Sequence, residues 1–217
     1  SKAITDMGIK VVLSGEGADE IFGGYLYFRN APSVEDFQKE TIERVQKLFT
    51  ADLLRADKST MAHGLEARVP FLDKAFLDMA VRIKPEEKMP KTYDGKEKYI
   101  LRKAFDTPDN PYLPDEVLWR QKEQFSDGVG YNWIDQLIEY CSSQVTDEQL
   151  AGAEDEFPYN TPTTKEAYFY RSIFNKYYPQ VSAAQTVRKW IPKWQENRDP
   201  SGRANAAHVQ ADVEIAK

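Results

Sequence analysis

Residues 9–28 read IKVVLSGEGADEIFGGYLYF, and this stretch decides the fold. Val11-Val12-Leu13 is a short apolar run, which predicts a strand buried on both faces. The run breaks at Ser14-Gly15-Glu16-Gly17, and a helical pattern starts near Ala18 and continues around Gly23-Gly24 to Phe28. A strand that stops at a glycine-containing turn and feeds a helix sets backbone N–H donors at the strand's carboxyl edge. Phosphates and other anions bind at such edges in open α/β sheets. The turn is also acidic, with Glu16, Asp19 and Glu20 close together. Carboxylates repel a phosphate unless a cation lies between them, and Mg²⁺ typically joins one or two carboxylates to substrate phosphates. One reading of the turn is therefore an edge for ATP·Mg²⁺. The other is that acids in a first helical turn only complement the helix dipole. Neither a Walker lysine nor a GxGxxG run decides between them.

The remaining composition narrows the class. The chain has 217 residues, 41% apolar and 12% aromatic, which is ordinary for a folded protein and argues against wholesale disorder. A net charge of −6 argues against a general nucleic-acid binder. The single cysteine, Cys141, cannot form an internal disulfide, which fits a reducing cytoplasm. It lies in the helical pattern Trp133, Ile134, Leu137, Ile138, and is read as a core residue. His63 and His208 are too few and too distant for a zinc site. No apolar run approaches membrane-spanning length, and no signal peptide is visible. The chain opens at Ser1 without a methionine, and one strand cannot form a parallel sheet alone. The expectation is a piece of a longer protein whose other strands lie upstream.

Further along, Ser33 with Glu35 and Asp36 predicts a helix start, and apolar spacing stays helical from Val34 to about His63. Asp57 and Lys58 interrupt that stripe and suggest a polar role or a buried pair. Glu66–Asp73, EARVPFLD, reads as an ordered loop in which Asp73 caps a helix through Ile83. Glu66 and Arg68 flank Ala67 as either a structural ion pair or a substrate contact. Lys84–Gly95 reads as an exposed connection, and Pro114-Asp115-Glu116 as a helix first turn. Trp119-Arg120-Gln121-Lys122 precedes the glycine-bearing Ser126–Gly130, so Lys122 either faces a phosphate or is a solvated helix-end cation. Thr163-Thr164-Lys165-Glu166 fits a capping box. Residues 1–195 are read as one portion of a domain, with 196–217 a polar tail.

Four separate pieces then line up. LSGEGADEIFGGY at Leu13–Tyr25, EARVPFLD at Glu66–Asp73, WRQKEQFSDGVGYNWI at Trp119–Ile134 and FPYNTPTTKEAYFYR at Phe157–Arg171 together resemble the glutamine-hydrolysing asparagine synthetase family. DPSGR at Asp199–Arg203 is similar to the ends of many members. The resemblance implies a mainly α chain with one clear parallel strand and five or six helices. It would form the C-terminal portion of an α/β adenine-nucleotide α-hydrolase-like (PP-loop ATP pyrophosphatase) domain. It implies an ATP-dependent carbon–nitrogen ligase that converts aspartate to β-aspartyl-AMP, which ammonia from glutamine then attacks to give asparagine. The cofactors implied are ATP and Mg²⁺. The partner is an N-terminal glutaminase (amidotransferase) domain, with a homodimer left open. Ser14 and Gly15 would correspond to an ATP-contacting turn, and Glu16 and Asp19 to acids around the Mg²⁺–pyrophosphate. Lys122 would correspond to a lysine that stabilises charge on the phosphates. Glu66 and Arg68 would be proximal to the substrate.

Elementary chemistry agrees with those roles. Adenylation forms no covalent enzyme intermediate, so catalysis rests on alignment and on neutralising charge at phosphorus. Ammonia must lose a proton as it attacks, and Glu16 is the first candidate base. The SGG-x-[DS]-S pyrophosphate signature and the glutaminase domain are absent from these residues, so the fragment alone is expected to be inactive. Two alternatives remain: a β-lactam-synthetase-like amide ligase, and a non-catalytic paralogue or interaction module that kept the helical lobe.

Overall fold

A computed structural model describes residues 1–123 and 132–196. The loop Ser126–Gly130 and the tail beyond residue 196 fall outside the described residues. The chain forms two compact units, one of residues 1–122 with the later stretch from 190, the other of residues 123–189.

The first unit contains α1 (Lys2–Asp6), β1 (Val11–Leu13), α2 (Ala18–Ile21), α3 (Val34–Lys47), α4 (Asp52–Met61), β2 (Glu66–Arg68), α5 (Lys74–Arg82), α6 (Tyr99–Ala104) and α7 (Asp115–Leu118). Strands β1 and β2 are parallel, with Val11 opposite Glu66, Val12 opposite Ala67 and Leu13 opposite Arg68. The expected single strand is therefore two, because the start of EARVPFLD is strand rather than loop. Glu-Ala-Arg carries little β propensity of its own; its conformation is imposed by pairing with a distant segment. Burial of β1 on both faces is also corrected. Val11 is 46% and Leu13 79% exposed, since among the described residues the sheet has only these two strands.

Glycine chemistry ends α2 earlier than the pattern predicts. Gly23 has φ +61°, and a Cβ there would lie 2.5 Å from Phe37 Cε2. The helix stops, and Leu26–Asn30 form a 3₁₀ turn instead. That turn buries Tyr27 and Phe28, which with Ala31, Phe37 and Met89 form the main core. Ser33 caps α3 as expected, its Oγ accepting the Asp36 N–H at 3.0 Å. Asp73 caps α5 likewise, accepting from Ala75 and Phe76 N–H. The helical stripe after α3 is broken by a 3₁₀ turn at Leu48–Thr50, and Asp57 and Lys58 are an exposed pair at 3.7 Å. Lys84–Gly95 is not simply exposed: Lys88, Met89 and Pro90 are buried, and Lys88 Nζ donates to Ala80 O at 3.2 Å.

The later stretch returns to this core. Trp190 and Trp194 pack on Tyr27 and Phe28, with Trp190 edge-on to Tyr27 at 5.9 Å. Arg44 of α3 lies 4.5 Å over the Trp190 ring and donates to Ile191 O. Lys193 reaches Glu40 at 2.5 Å and Glu43 at 2.6 Å. The second unit contains α8 (Trp133–Gln144), α9 (Asp147–Ala151), α10 (Ala153–Glu156), α11 (Lys165–Tyr177) and α12 (Val181–Gln185). Its core is Val145, Ala153, Phe157 and Tyr168, and Cys141 is buried as read from the sequence. The helix cap at α11 is Thr164, one residue later than a Thr163–Glu166 box requires; a complete capping box forms at Thr146 and Gln149.

Phe37 is fully buried, and its ring meets Phe28 edge-on at 5.3 Å. Phe37→Ala is expected to destabilise the first unit by about 3–5 kcal/mol. A urea titration followed by tryptophan fluorescence checks this, and an unchanged midpoint would remove Phe37 from the core.

Candidate active site

The turn after β1 is built by strand pairing. Ser14 N–H donates to Arg68 O of β2 at 2.8 Å, so the second strand sets where the turn begins. Glu16 N–H then donates to Ser14 Oγ at 3.4 Å. Gly17 has φ +92°, and a Cβ there would sit 2.4 Å from Leu72 Cδ2, so glycine is required. A Cβ on Gly15 meets nothing within 4 Å, which leaves the backbone open to close approach by a ligand.

Asp19 is the centre of the site. Lys98 Nζ lies 2.7 Å from its Oδ1, and Lys122 Nζ lies 3.6 Å from its Oδ2. Gly24 backs the same carboxylate: its N–H donates to Asp19 O at 2.8 Å, and an added Cβ would fall 2.0 Å from Asp19 Oδ1. Lys122 Nζ also stands 5.8 Å from the Tyr25 ring centroid. Beside Asp19, Glu20 is 2% exposed and accepts a hydrogen bond from Tyr25 Oη, which also reaches Asp52 Oδ2 at 3.3 Å. Arg55 of α4 pairs with Asp52 at 3.1 Å and approaches Glu16 at 3.7 Å. Four carboxylates, three cations and one phenol are thus gathered around one turn.

The electrostatics follow from that crowding. Burial raises the Glu16 carboxyl above the usual range; Arg55 opposes the rise, while Asp52 and Asp19 add to it. Burial pushes Glu20 up to about 7, with the Tyr25 hydrogen bond pulling the other way and Asp19 and Asp52 adding a little. Burial and the adjacent acids push the Tyr25 phenol well up, so it stays a hydrogen-bond donor at neutral pH. A carboxylate that already holds two ammonium groups is a place where an incoming polyanion can compete for them.

Among the described residues, no group of three His, Cys, Asp or Glu side chains is placed to hold a metal by protein ligands alone. A Mg²⁺ carried on phosphates needs only one or two carboxylates, and Glu16 and Asp19 supply hard oxygen donors of that kind. The donor set fits Mg²⁺ as a companion of a nucleotide.

Ser14, Gly15, Glu16, Asp19 and Lys122 all lie in the first unit, with Lys122 contacting Asp19. Glu66 and Arg68 pair with each other at 2.6 Å on one face of β2, both more than half exposed. Arg68 still touches the turn through its carbonyl. Sequence reasoning missed Lys98, Tyr25, Asp52, Arg55 and the buried character of Glu20. Lys98 carried a faint signal, being one of a K-x-K pair just after the Lys84–Gly95 connection. Its backbone takes φ +56°, a conformation that a local pattern does not announce.

With this geometry in place, comparison identifies the class. The profile of the family described as asparagine synthase matches residues 1–43 and 29–198, so the chain belongs to that family. Among curated proteins it is 57% identical over 215 residues to asparagine synthetase [glutamine-hydrolyzing] 1 of Saccharomyces cerevisiae. It is 56% identical over 214 residues to a probable asparagine synthetase [glutamine-hydrolyzing] of Dictyostelium discoideum. Each match takes in 96% of this chain and 38% of the relative. It is 55% identical over 218 residues to the root asparagine synthetase [glutamine-hydrolyzing] of Pisum sativum, covering 94% of this chain and 37% of that protein. The chain therefore spans somewhat over a third of the length of the relatives it matches.

The raised pKa of Glu20 has a defined consequence for stability. Between about pH 4.5 and 7 the folded state holds a proton that the unfolded chain has released, so this group's contribution declines as pH rises through that window. Glu20→Gln is expected to flatten the pH dependence of the thermal midpoint across it. Parallel slopes in the two proteins would show that Glu20 titrates normally.

Proposed function

We propose that residues 1–195 form the C-terminal portion of the synthetase domain of a glutamine-dependent asparagine synthetase, with 196–217 a polar tail. The parent domain would be of the PP-loop ATP pyrophosphatase type. It would join aspartate, ATP and ammonia released from glutamine by its own N-terminal glutaminase domain, in the cytoplasm, with a homodimer left open. Among the described residues no helix is long and apolar enough to cross a membrane.

The observation that supports this reading is the convergence of Lys98 and Lys122 on Asp19 beside the open backbone of Gly15. In the proposed reaction an aspartate side-chain oxygen attacks the α-phosphorus of ATP. The Pα–O–Pβ bond breaks, and pyrophosphate leaves. Lys122 neutralises charge on the phosphates as that bond breaks, and Ser14 and Gly15 border the nucleotide. Glu16 and Asp19 would hold Mg²⁺, which when bound neutralises pyrophosphate oxygens. Ammonia then attacks the acyl carbon, AMP leaves, and the nitrogen gives up a proton. Glu16, beside the turn, is our candidate base for that proton. Glu66 and Arg68 would lie near the substrate, through the backbone link from Arg68 to Ser14.

Aspartate-dependent ATP–pyrophosphate exchange in the full-length protein tests this. Wild type should exchange only with aspartate present, and Lys122→Ala should lower the rate by about 100-fold or more. Absence of exchange in folded wild type would sink the ligase reading. Undiminished exchange in the variant would keep the ligase and leave Lys122 an ion-pair partner of Asp19 with no catalytic role.

A further inference from the structure

Lys122 must be held from behind if its ammonium group is to stay on Asp19, and one buried residue is placed to do this. Glu97 is 3% exposed. Its Oε2 accepts from Arg29 Nη2 at 2.9 Å. Its Oε1 accepts from the backbone N–H of Lys122 at 2.5 Å and from Arg102 Nη2 at 3.3 Å. Arg102 in turn donates to Leu118 O at 2.6 Å and to Glu97 O at 2.9 Å. The stretch from Leu118 to Lys122 is therefore anchored at both ends by one carboxylate and its guanidinium partner. The next residue, Lys98, is the other ligand of Asp19.

We infer that Glu97 is a positioning residue for the reaction proposed above, setting the Lys122 backbone so that its ammonium group meets Asp19 and the phosphates. The inference rests on that reading of Lys122. A carboxylate is needed because three donors, two of them cationic, converge on it. A glutamine would offer one acceptor oxygen and turn an NH₂ donor toward a guanidinium. Removing a buried charge from such a set leaves its partners uncompensated. Displacement of Lys122 by about 1 Å is enough to lower a rate by about 100-fold.

The experiment is a double-mutant cycle in the full-length protein, reading aspartate-dependent ATP–pyrophosphate exchange for wild type, Glu97→Gln, Lys122→Arg and the double variant. Lys122→Arg keeps a cation and leaves activity to measure. If Glu97 acts through Lys122, Glu97→Gln lowers kcat by about 10–100-fold with the KM for aspartate within about threefold, and has much less effect in the Lys122→Arg background. Amide hydrogen exchange at Lys122 should also accelerate in Glu97→Gln. Equal losses in both backgrounds, or an unchanged Lys122 amide, would overturn the inference and leave Glu97 a structural residue. Absent exchange in wild type would instead overturn the ligase reading, and this inference with it. Should Glu97→Gln fail to fold, Glu97→Asp, which keeps the charge but is about 1.5 Å shorter, carries the same cycle with an intermediate loss expected.

Discussion

Asp19 carries the electrostatic constraint around which the first unit is arranged. One carboxylate holds Lys98 and Lys122, both far from Asp19 in sequence. Lys98 is fixed by a left-handed backbone conformation, which side-chain-bearing residues adopt only when their surroundings demand it. Lys122 is fixed by the Glu97 carboxylate against its amide. Asp19 itself is wedged against Gly24, where no side chain could stand. Two ammonium groups thus share one carboxylate.

The neighbouring ion pairs differ widely in energetic weight. Glu97, Arg29 and Arg102 are largely withdrawn from water, so their hydrogen bonds offset a substantial desolvation penalty and fix geometry more than they add stability. The exposed Glu66–Arg68 pair is screened and contributes little. The backbone contact from Arg68 to the Ser14 amide matters more, since it ties the start of the turn to the second strand.

Much of the site was legible because its residue types announce themselves. Glycines beside acids after an apolar run point to a strand–turn–helix edge, and Ser33 and Asp73 declare helix starts by their capping oxygens. The resemblance implied a shared role for Glu16, Asp19 and Lys122, and the structure shows an ion pair between the latter two. The second strand was not legible, since Glu66-Ala67-Arg68 has no β character until β1 supplies hydrogen-bond partners. Lys98 and Glu97 were hidden for a different reason. In a run of lysine, glycine and acid, local composition cannot distinguish a solvated linker from a buried polar network; only the arrival of Arg29, Arg102 and the Lys122 amide makes that difference.

The core of the first unit is interrupted in sequence. Tyr27 and Phe28 are made early, but the Trp190 and Trp194 rings that pack on them, and the Lys193 that meets Glu40 and Glu43, follow only after the whole second unit. On a ribosome adding about 5–20 residues per second, the early aromatic face stays uncovered for about 10–30 seconds before its last layer emerges. Vectorial synthesis thus makes this unit finish folding after the one inserted within it, and the interval is when a nascent chain would have most need of a chaperone.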